Sequence, residues 1–91
     1  MKLLYFAWVR TNIGKAEEEL DPPAQVRTVD QLLNWLADRG PNYAAALDRR
    51  NMVKVAVNQE YVELTAPVAP GDEVALFPPV TGGATRTAAP Q

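Results

Sequence analysis

Residues 71–83 read Gly71-Asp72-Glu73-Val74-Ala75-Leu76-Phe77-Pro78-Pro79-Val80-Thr81-Gly82-Gly83. Pro70-Gly71 at the head of this stretch is turn chemistry. Glu73 to Phe77 reads as a strand, and Pro78-Pro79 ends it, because proline has no N–H to give to a ladder. From Val80 to Gln91 the chain is small, polar and rich in Gly and Pro, the composition of a mobile tail. The segment thus predicts a last strand that feeds a tail, and the other elements must be arranged around that strand.

Upstream, Met52 to Val57 reads as a strand with Val53, Val55 and Val57 on one side. Asn58-Gln59-Glu60 is a turn, and Tyr61 to Leu64 resumes extended chain. At the other end, residues 2–10 form a short apolar, aromatic run that reads as a strand, followed by turn chemistry at Thr11-Asn12-Ile13-Gly14. Ala16 to Leu20 is an acidic strand suited to a sheet edge, stopped by Asp21-Pro22-Pro23. Between these sets lies a helix. Thr28 is a good N-cap, Gln31 completes a capping box, and Val29, Leu32, Leu33 and Leu36 share one face. Gly40 is expected as the residue just past its end, with Pro41 blocking continuation. Asn42 to Arg49 has the composition of a short second helix.

This order predicts an α+β fold, a mixed sheet with one main helix packed on one face. A β-grasp, ubiquitin-like arrangement fits it, with the first and last strands adjacent in the sheet centre. The expected organisation is one domain over residues 1–81 and a flexible tail over 82–91.

Composition narrows the function. With 91 residues there is room for one domain and little room for an enclosed active site. No Cys and no His are present, which removes thiol nucleophiles, disulfides, imidazole bases and the usual zinc ligands. A net charge of −2 gives no basic footprint, so nucleic acid is not an expected partner. No run approaches a membrane span, and the start lacks a signal-peptide cleavage pattern, so no membrane partner and a cytoplasmic location are expected. Glu17-Glu18-Glu19 reads as a solvated edge, Asp72-Glu73 as turn formers, and Arg49-Arg50 is too short for a basic patch. These residues offer little to conventional catalysis.

One pattern does not fit a one-layer sheet with a polar outer face. Leu3, Tyr5, Ala7 and Val9 fall on one side of the first strand, and Leu4, Phe6 and Trp8 on the other. The last strand likewise alternates Val74 and Leu76 with Ala75 and Phe77. Phe6, Trp8 and Phe77 are therefore candidates for an exposed apolar patch that meets a partner.

The closing segment resembles the C-terminus of the molybdopterin synthase small subunit, a ubiquitin-like sulfur carrier. Tyr5-Phe6-Ala7-Trp8-Val9-Arg10 and Val57-Asn58-Gln59 resemble that family's first strand and its turn after the third strand. The resemblance runs from residue 2 to residue 83. It implies that Gly83, as a C-terminal carboxylate, is adenylated and converted to a thiocarboxylate, with Val80, Thr81 and Gly82 threading a partner's channel. It implies three partners: an ATP-using adenylating enzyme, a sulfur donor, and the large synthase subunit, in a heterotetramer. ATP is then used by the activating enzyme, and no cofactor is bound by the chain itself. The resemblance also implies Phe6, Tyr61 and Phe77 as partner-contacting positions. A tail of this kind has a physical logic: residues 79–83 extended reach about 15–17 Å, and glycines without side chains pass a narrow channel.

Eight residues, 84–91, follow Gly83, so its carbonyl here sits in a peptide bond and the carrier role requires their removal. Sulfur carriers for thiamine or tRNA thiolation share the Gly-Gly feature, and a ubiquitin-like binding module without sulfur chemistry is the remaining alternative. Phe77-Pro78-Pro79-Val80-Thr81 favours the molybdopterin branch.

Overall fold

A computed structural model describes residues 1–48 and 50–79. Five strands, β1 (Lys2–Tyr5), β2 (Glu17–Glu19), β3 (Lys54–Val57), β4 (Glu60–Val62) and β5 (Glu73–Phe77), form one sheet in the order β2-β1-β5-β3-β4. β1 and β5 pair in parallel and the other contacts are antiparallel, so the sheet is mixed, with β5 in its centre. Helices α1 (Ala7–Ile13), α2 (Val29–Ala37) and α3 (Pro41–Leu47) and a 3-10 turn at Arg50–Met52 complete the described chain. No helix among the described residues is long and apolar enough to cross a membrane.

The core lies between one sheet face and the helices. Leu3, Tyr5, Val55, Val74 and Leu76 point inward from the strands, and Val29, Leu32, Leu33 and Leu36 meet them from α2. The four α2 residues are fully buried, each stabilising the fold by about 1.5–3 kcal/mol through removal from water. The capping box forms as the sequence predicts: the Gln31 N–H donates to Thr28 Oγ1 at 3.2 Å and the Thr28 N–H to Gln31 Oε1 at 3.2 Å. The next free donors, the N–H groups of Val29 and Asp30, reach the carbonyls of Ala66 and Leu64, both at 2.9 Å. The first turn of α2 is thereby satisfied and stitched to the segment before β5.

Three expectations are corrected. The first strand does not run to Arg10. It ends at Tyr5, and Thr11-Asn12-Ile13 lies in a helix where a turn was expected. Phe6 is extended, Ala7 takes φ 54°, and the chain enters α1, which buries Val9 and Ile13 four residues apart. A left-handed alanine costs roughly 1–2 kcal/mol, offset by the burial of those two side chains and by the Phe6 carbonyl, which accepts from Val9 and Arg10 N–H. Gly14, at φ 90°, closes α1 in the left-handed conformation that favours glycine. Gly40 is not the residue after α2, which ends at Ala37 with Asp38 as its C-cap. Gly40 instead precedes α3, and Pro41 opens that helix, where its missing N–H is harmless.

The third correction concerns Glu18. β2 is an edge strand as expected, but Glu18 is not solvated: its side chain is 10% exposed. It accepts from the hydroxyls of Tyr5 (2.8 Å) and Tyr43 (2.6 Å) and from Lys15 Nζ (3.1 Å). Burial alone pushes this carboxyl up, but the donors from Tyr43, Tyr5 and Lys15 outweigh it and hold it below its ordinary value. Burial, with the Glu18 contact, pushes the Tyr5 phenol well above its ordinary value.

Glu18 therefore contributes stability that is fully present above the ordinary carboxylate range, about pH 4.3, and is lost as pH falls through its lowered value. Tyr5 contributes stability present below about pH 10 and lost as pH rises beyond it. Urea midpoints measured across pH should show both limbs. Glu18→Gln should lower the midpoint at neutral pH and flatten the acid limb.

Candidate functional site: an aromatic face at the root of the tail

The site is built on the sheet face that the helices leave open. Because Leu3, Tyr5, Val74 and Leu76 point into the core, Lys2, Leu4, Ala75 and Phe77 point the other way. The parallel register places Leu4 beside Ala75, and the Phe6 N–H donates to the Leu76 carbonyl at 3.1 Å as the ladder ends. Phe6 is thereby held beside Phe77, with ring centroids 6.3 Å apart and planes at 82°. On the other side β3 and β4 bring Tyr61 to 5.4 Å from Phe77 at 65°. Both are edge-to-face arrangements of the favourable kind.

The trio named in the sequence reading as partner contacts is thus contiguous. Phe6 is 47% exposed and Tyr61 71% exposed, with Phe77 half-buried between them. Three aromatic rings gathered on an open sheet face are what a docking patch requires. Trp8 does not belong to it. The turn at Ala7 carries Trp8 into α1, where it is half-buried and lines a separate groove with Asn12, Ala45, Asp48 and Met52.

Charge at the patch is sparse. Lys54 pairs in register with Phe77 and forms no ion pair among the described residues. A groove of about 770 Å³ lies beside it, lined by Lys54, Tyr61, Val62, Glu63, Thr65 and Phe77 among others. Among the described residues no cluster of His, Cys, Asp or Glu has a metal-binding arrangement.

The start of β5 is fixed by a clamp whose role the sequence reading did not include. Asn58 and Gln59 both take left-handed φ, 52° and 71°, in a two-residue hairpin turn. The Asn58 N–H donates to the Glu73 carbonyl (2.7 Å), and its side chain accepts from Glu73 N–H (3.0 Å) and donates to Asp72 (3.1 Å). Gly71, at φ 88°, supplies the turn that delivers Asp72. The register of β5, and with it the place where the chain leaves the sheet at Pro78-Pro79, is set from this end. Val80, Thr81, Gly82 and Gly83 lie outside the described residues.

Residues 3–83 match the model of the ThiS family. The chain belongs to that family. It is 41% identical over 83 residues to the molybdopterin synthase sulfur carrier subunit of Escherichia coli, covering 91% of this chain and 99% of that protein. Its structure is similar to SAMP1 from Haloferax volcanii, with 32% identity, a TM-score of 0.70, and coverage of 91% of this chain and 98% of that one. It is also similar to a chain of the BexX/CysO complex of Amycolatopsis orientalis, at 25% identity and a TM-score of 0.66, covering 90% and 98%. The resemblance drawn from the closing motif is borne out by these relatives, and the β-grasp arrangement by these structures.

Exposure separates the patch from the core energetically. Phe6→Ala should cost no more than about 1 kcal/mol of stability in urea denaturation, whereas Leu76→Ala, fully buried in the central strand, should cost about 2–5 kcal/mol. Equal losses would mean that Phe6 is a core residue.

Proposed function

We propose that this chain is the sulfur carrier of a molybdopterin synthase, carrying sulfur as a thiocarboxylate on Gly83 once residues 84–91 have been removed. The observation that carries the reading is the continuity of the site. The central strand β5 presents Phe77 to the aromatic face and, two prolines later, becomes the segment that ends in Gly82-Gly83. A partner that grips the face is placed to receive the tail. The relatives bearing the sulfur-carrier name support the assignment.

The chemistry asks little of the chain. The Gly83 carboxylate attacks the α-phosphorus of ATP on an adenylating partner, giving an acyl adenylate and releasing pyrophosphate. The terminal sulfur of a persulfide donor attacks the acyl carbon and AMP leaves. A thiol then attacks the donor's sulfur of this acyl disulfide, forming a new disulfide with the donor and expelling the thiocarboxylate. Apart from the Gly83 carboxylate itself, no step requires a base or nucleophile from this chain's side chains, which accords with the absence of Cys and His. The loaded tail then enters the large synthase subunit, where sulfur passes to the pterin precursor. The aromatic face supplies binding energy, and the two prolines limit the conformations the tail loses on insertion.

A chain ending at Gly83, mixed with the adenylating enzyme and ATP, should release pyrophosphate. The 91-residue chain should release none, because its Gly83 carbonyl is an amide. Equal release from both would place the activated carboxylate elsewhere and overturn the proposal.

A further inference from the structure

We propose that the outer edge of β4 is a strand-addition site for an extended, mainly apolar segment of the large subunit that receives the tail; the identity of that partner rests on the function proposed above. The two edges of the sheet differ in how densely they are charged. β2 presents the exposed carboxylates of Glu17 and Glu19, charges of the sort that guard an edge against pairing. β4 carries one exposed carboxylate, Glu60, beside the turn, and none at its centre, where Tyr61 stands 71% exposed.

Hairpin geometry sets which backbone groups of β4 are free. Asn58-Gln59 is a two-residue turn, so Val57 and Glu60 form the hydrogen-bonded closing pair. Pairs alternate along an antiparallel ladder, which makes Ala56 and Tyr61 a non-hydrogen-bonded pair. Both the N–H and the carbonyl of Tyr61 therefore point away from β3, out of the sheet. One residue of an added strand exchanges two hydrogen bonds with them. The edge is short because the Glu63 carbonyl is already taken by the Ala66 N–H at 3.0 Å, where the chain turns towards α2.

The groove beside this edge states the occupant's chemistry. Tyr61, Val62 and Phe77 offer apolar surface to its side chains. Lys54, on the wall next to Phe77 and without an ion pair among the described residues, calls for a carboxylate on the incoming segment there, and Glu63, which lines the same groove, for a hydrogen-bond donor. An edge-added strand here continues the aromatic face, so gripping the face and extending the sheet become one binding event.

Residue-resolved amide exchange of the chain, alone and bound to the large subunit, tests this. The Tyr61 amide should exchange fast in the free chain and at least about tenfold more slowly in the complex, the slowing of one hydrogen bond gained. A second readout uses affinity. Tyr61→Thr keeps the N–H and loses the ring, whereas Tyr61→Pro loses both; the proline variant should bind at least about tenfold more weakly than the threonine variant. A complex that forms while Tyr61 exchange stays fast overturns the strand-addition site and leaves the carrier role standing. Slow Tyr61 exchange in the chain alone, rising with its concentration, assigns the edge to a second copy and likewise overturns the proposal. Failure to form any complex with the large subunit overturns the proposed function and this site together.

Discussion

The parallel ladder between β1 and β5 ties the beginning of the chain to its last strand, and the rest of the molecule is arranged on that pair. Lys2 to Tyr5 run beside Glu73 to Leu76, so residues about seventy apart share the middle of the sheet. One side of the pair buries Leu3, Tyr5, Val74 and Leu76 under the helices. The other side carries Phe77, with Phe6 just past the end of β1, and β4 adds Tyr61 to complete the aromatic trio. Because both faces share β1 and β5, the packing that stabilises the fold also orients the aromatic face. A shift of one residue in the register of β5 would exchange Leu76 for Phe77 at the core. The Asn58–Asp72–Glu73 clamp at the other end of β5 opposes such a slip.

Much of this was legible in the sequence. β5 was readable to the residue, because Pro70-Gly71 and Pro78-Pro79 bracket it and alternation fills the interval. α2 was readable because its capping box and its apolar face agree. The start was harder. Leu3 to Val9 is apolar throughout, and a run of that kind does not distinguish period 2 from period 3.6. The boundary is a left-handed alanine, a conformation that no local rule assigns to Ala7. That single residue moved Trp8 from the patch to α1 and turned an expected loop into a helix.

The site divides in the same way. Phe6 and Phe77 could be placed on an outer face by alternation, and Tyr61 only by family resemblance, since neither its spacing nor its neighbours mark it. Their contiguity depends on the β1-β5-β3-β4 order, which is a long-range property. Glu18 was misread as a solvated residue for a related reason. Its partners Tyr5 and Tyr43 are 13 and 25 residues away, and nothing within the acidic run separates Glu18 from Glu17 or Glu19.

On the proposed function, labour is divided between a rigid sheet and a glycine terminus freed by removal of residues 84–91, and catalysis is left to partners. The account stands on Gly83 being the working end of the mature protein. Intact mass spectrometry of the protein isolated from its native host tests this most directly. The account predicts a chain ending at Gly83, with a fraction heavier by the replacement of one oxygen by sulfur. A mass that retains Gln91 in every molecule would contradict it.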